Sequence, residues 1–135
     1  MLGACTTTKA VRDSVVQAPS KCVDQTVQIY FEPDSADVTA EGRAVINQAA
    51  AATRGCMVKR IDVLGLADAA GVPQANLELS QRRAQSVTAV LANAGLPDAE
   101  FHVAALGQVG SISPDGAARP LRRRADVVLR LEPRP

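Results

Sequence analysis

Polar and apolar residues alternate over Thr26–Glu32, with Val27, Ile29 and Phe31 on one side and Gln28, Tyr30 and Glu32 on the other. That period of two predicts a strand with one buried face. Pro33-Asp34-Ser35 signals a turn, and Thr39 is placed to cap a helix over Ala40–Thr53. On that helix Val45, Ile46 and Ala49 share one face, and Gly55 lies just past its end. A second strand is predicted over Val58–Leu64, leading through the Gly65–Gly71 turn and past Pro73 into a helix from Gln74 or Ala75 to Ala94, with Gly95 beyond it. Phe101–Leu106 and Ala125–Leu131 read as third and fourth strands. Between them Gly107–Arg124 is a Gly-, Pro-, Ser- and Arg-bearing loop of a length typical of functional segments. The order β-α-β-α-β-loop-β predicts an α+β fold, a two-layer α/β sandwich with both helices packed on one mixed sheet.

The second helix carries an anomaly. With Leu79 at zero and about 100° per residue, Val90, Ala94, Val87 and Leu91 fall between about 20° and 120° and form the face that meets the sheet. Arg83 falls near about 40° and Asn76 near about 60°, inside that apolar stripe, whereas Arg82 falls at its edge. A guanidinium there is costly unless something well placed and negative meets it. Two readings follow. Arg83 forms a structural ion pair with an acid at the end of the second strand, or it faces a cleft with Asp68, just past that strand, so that the two opposed charges grip a zwitterion. In the second reading the start of the helix adds N–H donors for the bound carboxylate.

Composition narrows the classes. Of 135 residues 47% are hydrophobic, but 24 are alanine and the aromatics are only Tyr30, Phe31 and Phe101. The core must therefore be Val, Leu and Ile set against alanine-faced helices. A net charge of +1 removes the positive field of a general nucleic-acid binder, so no nucleic-acid partner is expected. The run Arg119-x-x-Arg122-Arg123-Arg124 has no adjacent aromatic for base stacking. His102 stands alone and Ser80 has no histidine near it in sequence. No phosphate loop or dinucleotide fingerprint occurs, and neither an enzyme nor a metal or cofactor site is expected.

Leu2-Gly3-Ala4-Cys5 resembles the lipobox of a bacterial lipoprotein, in which the cysteine becomes the lipidated first residue. Either Cys5 carries lipid behind a trimmed or mis-started leader, or the tetrapeptide is a coincidence. Residues 6–20 lack strong periodicity, as a tether would. Domain boundaries are thus expected at 1–24 for a lipobox-like start and flexible tether, 25–132 for the globular domain and 133–135 for a frayed end. Cys22 and Cys56 each precede a predicted strand. If those strands run parallel, both thiols fall at one end of the sheet, where a bridge would contribute about 3–4 kcal/mol in an oxidising compartment. The alternative is two reduced, buried cysteines.

Ile29-Tyr30-Phe31-Glu32-Pro33-Asp34-Ser35-Ala36, then Gly65-x-x-Asp68-x-x-Gly71, then Asn76-x-x-Leu79-Ser80-x-x-Arg83-Ala84, resemble the OmpA-like peptidoglycan-binding domain. The closing Arg123-Arg124-Ala125-Asp126-Val127 is also similar to that family's ending, and the likeness runs from about Val27 to Leu131. The resemblance implies a noncatalytic module that binds the peptide stem of peptidoglycan, with Asp68 and Arg83 holding the D-centre of diaminopimelate. Ala69, Asn76, Leu79, Arg122 and Arg124 are expected to shape the pocket. Lipoproteins of the peptidoglycan-associated type carry this domain behind a lipidated cysteine. The expected location is therefore the periplasmic face of the outer membrane of a Gram-negative bacterium, with Cys5 as the anchor. The chain departs from the family pattern at Leu66, Ala75 and Arg122, which changes packing and hydrogen-bonding groups round the cleft. A docking module of an envelope complex that has lost wall binding is the alternative.

Overall fold

The computed structural model describes residues 22–69, 71–96, 99–110 and 122–135. Its elements are β1 (Gln25–Tyr30), α1 (Ala40–Ala52), β2 (Cys56–Gly65), α2 (Pro73–Asn93), β3 (Glu100–Ala105) and β4 (Arg124–Pro133). The Thr39 hydroxyl accepts from the Gly42 N–H at 3.0 Å, which starts α1 where the sequence places it. The last strand in sequence enters the middle of the sheet, whose order is β1-β4-β2-β3. β4 is antiparallel to both β1 and β2, and β2 is parallel to β3. β1 and β2 therefore run in the same direction without touching.

Register turns alternation into a core. Val27 pairs with Val127 and Ile29 with Ala125 across β1 and β4, while Ile61 pairs with Leu129 across β2 and β4. Those apolar rows share the helix-covered face, where they bury Ile46 of α1 and Ala84, Val87 and Leu91 of α2. The opposite face carries polar side chains. Arg130 donates to Asp62 at 3.0 Å and to Asp24 at 3.2 Å, and Arg124 donates to Asp126 at 2.8 Å. His102 is exposed there and pairs with Glu100.

Three predicted strand boundaries move by two residues each. β1 ends at Tyr30 rather than Glu32, because the chain turns to place Glu32 beneath α2. β2 starts at Cys56 and β4 extends to Pro133, because these two residues pair across the ladder. Pro133 thus belongs to the sheet rather than to the end expected to fray over 133–135. Cys22 and Cys56 are joined as a disulfide at the end of the sheet where β1 and β2 begin. Parallel β1 and β2 are what bring them there. Among the described residues no helix is long and apolar enough to cross a membrane.

At the other end α2 crosses β2 with backbone in contact. A Cβ on Gly65 would lie 1.9 Å from the Ser80 carbonyl oxygen, so only glycine fits. The Ser80 hydroxyl donates to the Leu77 carbonyl at 2.8 Å and accepts from the Gly107 N–H at 2.8 Å, tying α2 to the segment after β3. Ser80 is fully buried, and its role is to hold this junction.

Candidate ligand-binding site

Arg83 projects from α2 into the apolar layer with 1% of its surface exposed. Its Nε donates to the Ser35 carbonyl at 2.8 Å, Nη1 to the Leu66 carbonyl at 3.1 Å and Nη2 to the Glu32 carbonyl at 3.3 Å. The guanidinium also lies 5.3 Å from the centroid of the Phe31 ring, within cation–π range. Three backbone dipoles and a ring face thus solvate the charge without cancelling it. Burial pushes the guanidinium below its ordinary pKa, Asp68 pulls it back, Arg123 adds to the depression and Asp34 opposes it.

Asp68 follows β2 by three residues and is half-buried. The turn that carries it is pinned by the Leu66 N–H donating to the Arg124 carbonyl at 3.0 Å and the Ala67 N–H to the Gly107 carbonyl at 2.9 Å. Among the described residues the Asp68 carboxylate makes no hydrogen bond or ion pair, although its charge bears on Arg83. The structural ion pair expected at the end of the second strand is therefore replaced by carbonyls from Glu32, Ser35 and Leu66. The reason is geometric. The β1–α1 turn passes over the guanidinium, and its carbonyls, which have no ladder to join, need donors. Asp34 in that turn has φ of 55°, the left-handed region that aspartate enters more readily than most residues.

Asn76 and Leu79 lie at the start of α2, exposed by 7% and 9%. Asn76 Nδ2 donates to Gln108 Oε1 at 2.8 Å, closing α2 against the segment after β3. Ala69 is exposed beside Asp68. Arg122 is buried and donates from Nη2 to the Val109 carbonyl. Arg124 stands on the sheet face away from the helices, in its pair with Asp126. The fold therefore brings Asp68, Asn76, Leu79 and Arg83 to the β2–α2 junction and carries Arg124 to the other face. Of the three consecutive arginines, from which Arg122 and Arg124 were expected to shape the pocket, Arg123 is the one whose charge bears on Arg83. The inward parity of Ala125, Val127 and Leu129, extended back two residues, was the available signal. Leu66 is 1% exposed, so the residue that departs from the family pattern is a core residue here. Cys5, the tether and Arg119 lie outside the described residues.

Two concavities mark the two ends of the domain. A shallow one of about 660 Å³ lies beside the Arg83 clamp, lined by Asp34, Ser35, Asp37, Arg82, Gln85 and Ser86. A larger one of about 990 Å³ lies against the disulfide, with Arg54, Lys59 and Arg134 among mainly small residues and no acidic group in its lining. The acid–base chemistry belongs to the first end. Among the described residues no three His, Cys, Asp or Glu side chains converge as a metal site would require.

The two-layer α+β sandwich, with a buried, dipole-held arginine beside the β2–α2 turn, defines the class of domain to which the chain belongs. The chain belongs to the OmpA family, whose model matches residues 30–128. It is 33% identical over 113 residues to an outer membrane protein of Gluconacetobacter diazotrophicus, covering 78% of this chain and 30% of that protein. It is 29% identical over 100 residues to outer membrane protein A of Bordetella avium, covering 73% and 52%. The chain thus spans about a third to a half of the curated relatives it matches. Among solved structures, the peptidoglycan-associated lipoprotein of Burkholderia pseudomallei superposes with a TM-score of 0.60 at 28% identity, covering 78% of this chain and 89% of that one. The cell wall anchor of the T6SS from Pseudomonas aeruginosa shares the fold, with a TM-score of 0.62 at 24% identity and coverage of 81% and 82%.

Proposed function

We propose that the domain binds peptidoglycan noncovalently through the diaminopimelate of its stem peptide and, through a lipid on Cys5, tethers the outer membrane to the wall from the periplasmic face. Asp68 accepts from the ammonium of the D-centre and Arg83 donates to its carboxylate. The observation that supports this reading is that Asp68 bears electrostatically on Arg83 while, among the described residues, the two make no ion pair. A guanidinium has five N–H donors, and the three carbonyls leave Arg83 two. α2 is preceded by Val72, which supplies no side-chain cap, so its first turn adds partial positive charge on the same side. Asn76 and Leu79 wall the pocket, Ala69 borders it, and Arg122 holds the segment after β3 through Val109. Arg124 contributes through the Leu66 N–H that its carbonyl fixes. The names of the lipoprotein and wall-anchor relatives support the same partner.

One observation favours the alternative of a protein-docking module, namely that Arg83 is 1% exposed and already serves three carbonyls. Sedimentation with purified sacculi separates the readings. Wild type is expected to co-sediment, and Asp68→Asn to lose about tenfold or more in affinity, the scale of one charge-assisted hydrogen bond. Asp68 makes no structural hydrogen bond among the described residues, so this variant keeps its circular dichroism and urea midpoint. A folded wild type that stays in the supernatant makes the docking reading correct. Mass spectrometry of the native N-terminus tests the lipid on Cys5.

A further inference from the structure

The disulfide, the inner strand and the candidate site form one covalent line. Cys22 precedes β1 and is bonded to Cys56, the first residue of β2. β1 is an edge strand held only by β4, whereas β2 is held by β4 on one side and β3 on the other. The two strands reach the site differently. β1 leads through Phe31 to Glu32 and Ser35, whose carbonyls hold the Arg83 guanidinium. β2 leads through Gly65 and Leu66 to Asp68.

A pull on the chain before Cys22 has two covalent routes to this site. The first runs along β1 and would draw the Glu32 and Ser35 carbonyls away from Arg83. The second crosses the disulfide and runs along β2, which is already extended at about 3.3 Å per residue and so has little slack to yield. We propose that the Cys22–Cys56 disulfide is a mechanical bypass that sends tension from the N-terminal side into β2 and keeps β1, α1 and the Glu32 and Ser35 carbonyls that hold Arg83 outside the load path. The inference rests on the proposed reading that the N-terminal segment is a tether and that the ligand sits at Asp68. Under that reading an oxidised domain holds its ligand against a pull that would dismantle the reduced one.

Optical tweezers test it on the full chain, with DNA handles attached at positions 8 and 69 through azide-bearing residues. The expected result is that oxidised molecules show no long extension. The same molecules reduced in place with dithiothreitol are expected to yield at lower force, with a step of about 12 nm, the contour of residues 22–69 less their folded separation. Reduced molecules that hold to the same force as oxidised ones overturn the proposal. At rest, oxidised protein, reduced protein and the Cys22→Ser/Cys56→Ser variant are expected to co-sediment equally with sacculi. Loss of binding on reduction without load also overturns the bypass, since the bridge would then maintain the site itself. The force measurement needs no ligand, so failure of wild-type co-sedimentation sinks the wall-binding reading separately. Reduction in place keeps the comparison available where the double variant fails to fold.

Discussion

Arg83 on the helix-covered face and Arg130 on the open face of the sheet place the same side chain in opposite surroundings. Arg130 meets two carboxylates, and the hydrogen bonds it donates, first to Asp62 and then to Asp24, push its pKa above the ordinary value. Arg83 meets neutral carbonyls, and burial pushes its pKa below the ordinary value. The first charge is cancelled by its neighbours and stays in contact with water. The second is buried, oriented and still positive. A carboxylate arriving from outside finds an attraction at Arg83 that has been used up at Arg130. Within one small domain, then, the charge that lends itself to binding is the one solvated by dipoles rather than paired with ions.

The largest effect that sharpens this contrast is structural. Arg83→Met keeps most of the volume but leaves the Ser35 and Leu66 carbonyls without the donors they have here and the Glu32 carbonyl with only the Ser35 N–H. It is expected to cost about 3 kcal/mol or more, read as a lower midpoint in urea unfolding. Arg130→Met removes only exposed ion pairs, which salt and water already weaken, and its midpoint shift is expected to be several-fold smaller. Equal shifts in the two variants would break the comparison.

The smallest effect concerns acid. The Leu131 N–H donates to Asp24 at 3.0 Å and, with Arg130, holds its carboxyl below the ordinary value. A folded pKa below the unfolded one means a contribution present above the unfolded pKa and lost as pH falls through the folded one. Asp24→Asn is expected to flatten the acid limb of the stability profile measured by urea unfolding between neutral and acid pH. An unchanged limb would show that Asp24 is held no differently from an unfolded aspartate.

The contrast also shows how far reading along the chain can go. Period-two alternation at Thr26–Glu32 and Ala125–Leu131 and period-3.6 spacing from Leu79 to Leu91 are local properties, and they located the elements within about two residues. The same helical spacing placed Arg83 inside an apolar stripe, which marked it as unusual before any coordinates. It pointed to Asp68 as the partner because Asp68 lies just past the second strand in a Gly-flanked turn that can approach the start of the helix. The observed partners at Ser35 and Glu32 are carbonyls of a turn 48 and 51 residues away, and a carbonyl has no signature in sequence. Arg124 faces away from the helices because its parity is opposite to that of the inward Ala125, Val127 and Leu129, a signal the alternation along the fourth strand already carried.

By itself, the amino-acid order determined which segments are amphipathic, which position on α2 holds a misplaced charge and which cysteines could meet if two strands ran the same way. These follow from backbone periodicity, which every residue carries with it. Only the tertiary structure decided that β4 enters between β1 and β2, that Arg83 is held by dipoles instead of Asp68, and that Cys22 and Cys56 join the edge strand to the inner one. Those outcomes depend on distances between segments remote in sequence. Such distances are set by the joint packing of α1 and α2 on one sheet, and no single stretch of chain contains them.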